Sequence, residues 1–314
     1  MRAMDTLSGL LEGPRANGAF LMRSVLTSPW SLRIQDEAPL SIAVVVRGEA
    51  WVVPAGGEPV RLGPGDVMVA RGPEPYTVAD QPDSEPQIFI NPGQHCTDAD
   101  GNSLEDVMDL GTRSWGNDPE GETMIVTGTY ESTRAISARL LRSLPQLFVL
   151  RDGEWNGELV TVLCAEMQRD ELGQEVFLDR LLDLVVIAAV RDWFGRDASR
   201  APAWHRAAAD PVLGPALRLL EDDLARPWTL AVLAAEVGVS RAALARRFST
   251  VLGEPAMSYL TTLRLDLAAD LLREPDLTIA AVARQVGYGS PFALSAAFKR
   301  VRGVSPAHHR AMVG

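Results

Sequence analysis

The last third of the chain repeats one pattern, and that repeat constrains the fold more than any other feature. Leu233, Val237 and Gly238 recur as Val282, Val286 and Gly287 at an offset of 49 residues, and Ser240, Leu244, Phe248 and Gly253 recur as Ser290, Leu294, Phe298 and Gly303 at an offset of 50. Self-similarity at a fixed period marks copies of one supersecondary unit. The added residue falls between the two sets, where Tyr288-Gly289 answers Val239. An insertion confined to a turn spares the helices on either side, so each copy is expected to hold two. The first runs Leu230 to Val237 in one copy and Ile279 to Val286 in the other, stopping at a glycine able to take the left-handed conformation. Ser240 and Ser290 then cap the second helix, and the Leu/Phe pairs four residues apart turn inward. Two short helices on a tight glycine-containing turn make a helix-turn-helix, a motif whose second helix enters the major groove of DNA.

Between the copies, Ala256 to Arg273 carries apolar residues at 257, 260, 263, 267, 271 and 272, the spacing of an amphipathic helix. About 18 helical residues span roughly 27 Å, close to the roughly 34 Å between successive major grooves on one face of a duplex. An ordinary helical bundle with accidental self-similarity would explain one copy of the motif; two copies on one connecting helix argue against it.

The formal net charge of −11 speaks against a nucleic-acid partner only until it is divided along the chain. Residues 203–314 hold 13 Arg+Lys against 10 Asp+Glu, whereas the remainder holds 17 against 31. Residues 278–314 hold five basic side chains and no acid. An acidic front with a locally basic tail is compatible with DNA binding by the tail, and also with a merely solvated basic surface. The start of the chain lacks a secretory pattern, and the most apolar stretch, Leu181 to Val190, contains Asp183 and is too short to span a bilayer. A cytoplasmic protein with no membrane partner is expected. Its two cysteines do not make a disulfide framework.

Residues 20 to 95 read as β structure. The runs 41–46, 50–53, 60–62 and 67–70 are short, apolar and punctuated by Gly and Pro, the pattern of a small sandwich or barrel. Gly63-Pro-Gly-Asp66 is a turn in which Asp66 can bond its own backbone. Asn91 to Asn102 reads as a polar loop, and Met124 to Tyr130 as a last strand. From Ser137 the period becomes helical. Gln174 to Phe194 carries so wide an apolar stripe that it must be buried, on the β region, against a second copy of the chain, or on both. Gly195 to Pro202 is a short polar break.

On these residues a family resemblance stands. Trp228-Thr-Leu-Ala-Val-Leu-Ala-Ala-Glu-Val-Gly-Val-Ser-Arg-Ala-Ala-Leu-Ala-Arg-Arg-Phe248, Ile279 to Tyr288, Phe298-Lys-Arg300, Gly303-Val-Ser-Pro306 and Arg310 closely resemble the DNA-binding domain of the AraC/XylS family of bacterial transcription regulators, over about residues 211 to 310. The family usually carries an aromatic residue before the final arginine, where this chain has His309. Residues 20 to 130 resemble the cupin-like domain that precedes it in one subgroup. The resemblance implies an α+β chain of two domains: a cupin-like β-barrel with a helical extension, and an all-α domain with two helix-turn-helix motifs. The expected divisions are 1–135 for the sensor, 136–202 for a helical dimerisation or linker region, and 203–314 for DNA binding.

The resemblance further implies that bases are read by Arg241, Ala242, Ala245 and Arg246 in the first recognition helix and by Pro291, Phe292, Ser295 and Ala296 in the second. Arg246 suits guanine, which arginine can pair bidentately, although a phosphate contact is the alternative. Ser240, Ser290, Lys299, Arg300 and Arg302 are candidates for phosphates. The expected partners are promoter DNA and a second copy, with a small effector and RNA polymerase as further candidates.

The rival from another class is a cupin enzyme or a small-molecule-binding protein with a helical accessory domain. Metal cupins cluster His and Glu ligands on adjacent strands. The four histidines here are His95, His205, His308 and His309, none of them between 20 and 94, so no metal, cofactor or catalytic residue is expected. A β-domain interior that holds an effector and one that is filled core stand level on the sequence. Cys96, beside His95, is a redox candidate because a neighbouring imidazolium lowers a thiol pKa; an incidental thiol is the alternative. Cys164 reads as core.

Overall fold

The computed structural model describes residues 16, 18–131, 136, 138–196, 203–274 and 276–313. The first fifteen residues and positions 197–202 of the polar break lie outside them. The chain divides into two compact units, one of residues 13–136 and 140–196 and one built mainly from 197–314.

The first unit is a pair of six-stranded sheets. Strands β1 (Phe20–Leu26), β3 (Leu40–Arg47), β6 (Val67–Arg71), β10 (Ser114–Gly116), β11 (Thr123–Tyr130) and β12 (Leu147–Leu150) form one sheet in the order β10-β1-β11-β3-β6-β12. Strands β2 (Ser31–Ile34), β4 (Ala50–Pro54), β5 (Val60–Leu62), β7 (Tyr76–Ala79), β8 (Ile88–Asn91) and β9 (His95–Thr97) form the other in the order β5-β4-β7-β2-β8-β9. Among the described strands only β1 with β10 and β2 with β8 run parallel. Inward-facing residues of both sheets, among them Leu26, Ala43, Val45, Met68 and Ile125 from the first and Leu32, Val52 and Val78 from the second, share one apolar cluster.

The first sheet is buried on both faces. Helix α3 (Gln174–Arg196), packed beside α2 (Glu158–Met167), covers its outer side. Phe148 of β12 stacks on Trp193 with centroids 4.6 Å apart, and a Cβ at Gly128 would overlap Leu182. Two-sided burial explains why β3 is apolar throughout rather than alternating. Two buried carboxylates on α3 bond the chain that enters β1, and Asp183 also pairs with Arg180 at 2.6 Å. Asp179 accepts the Gly18 and Ala19 N–H groups at 3.0 and 3.1 Å. Asp183 accepts the Ala16 N–H and the Tyr130 hydroxyl, both at 2.9 Å. A buried charge so partnered fixes one register of helix on sheet. The long helix therefore buries its stripe on the β unit, the first of the expected alternatives. Val176, Phe177 and Leu184 remain exposed.

The turn expected at 63–66 forms: Asp66 accepts the Gly63 N–H at 2.9 Å and, from beyond β12, the Arg151 guanidinium at 2.7 Å and the Asp152 N–H at 2.9 Å. Two expectations are corrected. The stretch 91–102 is not a loop throughout: Ile90 and Cys96 pair across β8 and β9. Nor is β11 the last strand; after the short helix α1 (Ala138–Ser143), Leu147-Phe-Val-Leu150 adds an edge to β6. A four-residue apolar run between helical stretches is too short for periodicity to separate strand from helix.

The second unit is helical: α4 (Ala203–Ala208), α5 (Leu213–Asp222), α6 (Leu230–Glu236), α7 (Arg241–Leu252), α8 (Ala256–Leu271), α9 (Ile279–Gln285), α10 (Pro291–Arg302) and α11 (Pro306–Val313). Helices α4 and α5 pack with α7, and the second half closes over its own core of Leu265, Ala269, Val282, Val286, Leu294 and Phe298.

Candidate nucleic-acid interface

The repeat in the sequence becomes two helix pairs with the same frame. Helices α6 and α9 have seven residues each, α7 and α10 twelve each. Thr229 and Thr278 cap the first helices, accepting the N–H of Val232 at 3.2 Å and of Ala281 at 3.1 Å. Ser240 and Ser290 cap the second, accepting from Ala243 and Ala293, both at 3.2 Å. Each hydroxyl acts as acceptor there, so its own O–H stays available as a donor. Gly238 and Gly287 sit at φ 70° and 77°. Leu244, Phe248, Leu294 and Phe298 are fully buried. Burial of each such side chain stabilises the unit by about 1.5–3 kcal/mol.

The turns differ in surroundings. A Cβ on Gly238 would meet open space, whereas on Gly287 it would lie 2.8 Å from the Ala225 Cα and 2.8 Å from Nη2 of Arg264. Arg264 projects from α8 into this junction. Its Nε donates to the Leu224 carbonyl and its Nη2 to the Arg226 carbonyl, both at 2.8 Å, and its guanidinium lies 6.0 Å from the centre of the Tyr288 ring. Burial lowers its pKa, with Tyr288 and Asp223 acting in the opposite sense. One arginine thus ties the segment before α6 to the turn before α10.

The outward faces of α7 and α10 diverge. On α7, Arg241, Ala242 and Arg246 are exposed and Ala245 half-buried; among the described residues neither arginine makes an ion pair. Arg247 is occupied, donating to both oxygens of Asp210 at 2.9 and 3.0 Å. On α10, Pro291 and Ser295 are half-exposed, Ala296 is exposed, and Phe292 stands 85% exposed in the first turn. Lys299 and Arg300 are exposed at its far end. Arg302 departs from the expected phosphate set: its Nη2 donates to Asp266 at 2.6 Å, with both side chains largely buried, and its guanidinium lies 5.7 Å from the Phe298 ring centre. This pairing has no local signature, because Asp266 is 36 residues away on α8.

His309 packs edge-on against Phe298 at 5.4 Å, the contact an aromatic residue would make. Burial lowers its pKa, with Arg302 and Arg273 adding to the effect. Arg310 bonds the Leu272 carbonyl at 3.1 Å and the Leu277 carbonyl at 2.5 Å, closing the end of α8.

The first unit holds a second candidate site, a cavity of about 520 Å³ between its sheets. Trp30, Met68, Val78 and Ile125 are among the apolar walls, and Asp36, Glu105, Asp109 and Arg113 are among the polar groups. Cys96, the redox candidate, lines it. It is buried in β9, and desolvation, followed by the Glu105 charge, pushes its pKa up to about 11. His95 bonds Glu105 instead, at 3.1 Å. Cys164 is half-buried on α2 rather than in the core, and burial raises its pKa as well.

Comparison with known proteins gives the same two-part division. Residues 5–195 match a cupin family model, and residues 233–312 match a helix-turn-helix domain model. A putative AraC-like transcription regulator from Streptomyces lividans is 28% identical over 312 residues, covering 98% of each chain. The transcriptional regulator AlkR from Acinetobacter baylyi is 26% identical over 313 residues, covering 98% of this chain and 99% of its own. The DNA-binding domain of AdpA, solved with a target DNA, is 33% identical over 33% of this chain and 93% of that one, with a TM-score of 0.32. The chain belongs to the AraC-type transcription regulators that carry a cupin domain ahead of a helix-turn-helix domain. No helix among the described residues is long and apolar enough to cross a membrane.

Proposed function

We propose that the second unit grips promoter DNA with two unequal heads, and that the first unit sets that grip in response to a small molecule. The observation that carries the first part is the pair of equal, capped frames around α7 and α10, one presenting two uncommitted arginines and the other an apolar face. In the first head Arg241, Ala242, Ala245 and Arg246 face base edges, with Arg246 on guanine. In the second, Pro291, Phe292, Ser295 and Ala296 face the groove without a charged side chain among them. Lys299, Arg300 and the donor hydroxyls of Ser240 and Ser290 take phosphates. The first head therefore supplies most of the sequence choice and the second most of the sequence-independent affinity. Footprinting of the full chain on genomic fragments tests this reading. Protected sites with a two-part consensus, stronger on the side met by α7, are expected; absence of DNA binding even at low salt would overturn it.

The cavity supports the sensing part, since an interior of this volume is the size of small-molecule sites. The exposed apolar residues Val176, Phe177 and Leu184 on α3 are the proposed seat of a second copy of the chain. Sedimentation equilibrium of Phe177→Asp against the parent chain tests it: a dimer that persists in the variant removes this surface from the interface.

A further inference from the structure

The charges around the cavity decide which class of molecule it admits. Resting on the reading of the first unit as a sensor, we propose that its ligand is an organic cation: an apolar or aromatic body that sits between the sheets and carries an ammonium group at the mouth. The body of the cavity is apolar and drawn from both sheets, with Leu26, Met68 and Ile125 on one side and Trp30, Leu32 and Val78 on the other. Its interior polar groups include the hydroxyls of Ser24, Thr127 and Thr129, which can hydrogen-bond a ligand but add no charge.

The ionisable lining is lopsided. Four carboxylates, Asp36, Glu105, Asp106 and Asp109, face two basic groups, Arg113 and His95. His95 bonds Glu105, and Arg113 Nη1 donates to the neutral Oε1 of Gln174 at 2.9 Å, which keeps its positive charge in place. Asp36 accepts from the Ala38 N–H at 3.1 Å and from Nε2 of Gln94 at 2.8 Å, and Asp109 from the Gly111 N–H at 2.9 Å. These are neutral donors, so the negative charge stays in place. Among the described residues neither Asp106 nor Asp109 makes an ion pair. An anionic headgroup would find one guanidinium, Arg113, against four carboxylates, an excess of like charge that disfavours it. An ammonium group would meet the reverse. Phe20, Trp30, Tyr76 and Trp115 add aromatic surface to the same lining, and aromatic faces beside carboxylates are the chemistry that holds alkylated ammonium groups.

Three ligands of one chain length test this: decyltrimethylammonium, decanol and decanoate, each titrated below its micellar concentration into the full chain by calorimetry. The cation is expected to bind at least about tenfold more tightly than either of the others, a difference on the scale of one desolvated cation–aromatic contact plus ion pairing. In the double variant Asp106→Asn, Asp109→Asn, both at exposed positions, that preference should collapse while decanol binding holds. Equal affinity for all three, tightest binding of decanoate, or a cation preference that survives the double variant overturns the proposal and leaves the sensor reading standing. If none of the three binds to protein that still binds DNA, the sensor reading of this cavity falls with it.

Discussion

The two helix pairs of the second unit share a frame and differ in face. The lengths of their helices, the caps Thr229, Ser240, Thr278 and Ser290, and the buried Leu/Phe pairs agree position by position. All of these face inward or bond the backbone. What differs faces outward, or toward the neighbouring pair: arginines on α7, Phe292 and Ala296 on α10, open space around Gly238 and a packed junction around Gly287. Inward positions are constrained by cavity and capping costs of about 1–5 kcal/mol, whereas an exposed side chain can change at almost no cost to folding. The repeat therefore identifies the frame, and departures from it identify where each copy acquired its own task.

The largest expected effect tests the difference between the turns. Gly287→Ala forces a side chain into backbone at positive φ and should cost about 3 kcal/mol or more, while Gly238→Ala meets only the φ penalty of about 1 kcal/mol. Thermal unfolding followed by circular dichroism reads both, and equal losses would mean the junction yields. Next comes the division of labour in recognition. Arg246→Ala should cost about 1–3 kcal/mol of specific binding and relax one base position; a uniform loss across sequences makes Arg246 a phosphate contact instead.

On the other head, replacing thymines by deoxyuridines in a bound site removes the methyl groups that an apolar side chain can read. A loss of about 1 kcal/mol at one position, absent in Phe292→Ala, is expected from gel-shift titration. Lys299→Ala should lower affinity evenly and reduce the slope of log K against log salt by about one. The smallest effect concerns His309. Its pKa is lowered in the folded chain, so the unfolded chain binds more protons as pH falls below the ordinary value of 6.5, and stability is lost from there down through the folded pKa. His309→Phe should flatten that part of the urea-midpoint profile between pH 7.5 and 5.

The sequence disclosed those parts of the fold in which neighbours along the chain decide the structure. Caps, turn glycines and the i, i+4 pairs of the helix-turn-helix frame are local, as is Asp66 bonding back to Gly63, so they could be read directly. The features that escaped depend on residues far away. Arg302 reads as a free cation until α8 brings Asp266 to it, and Cys96 reads as part of a polar loop until β8 and β9 pair and it joins the apolar cluster. Strand β12 exists because β6 offers it an edge. The junction at Arg264 joins main-chain carbonyls that carry no sequence signature at all.

Helix α3 links three parts of the first unit. Its first residue, Gln174, holds the cavity arginine Arg113, its second turn holds the chain entering β1 through Asp179, and its last residue, Arg196, ends the described part of the first unit. Twenty-three helical residues make a rod about 35 Å long. Such a rod is stiff along its axis and has a single covalent continuation, residues 197–202, into the second unit. In mechanical terms it is a clamped beam: Asp179 and Asp183 pin it to the sheet part-way along, so its two ends keep a fixed spacing on the first unit.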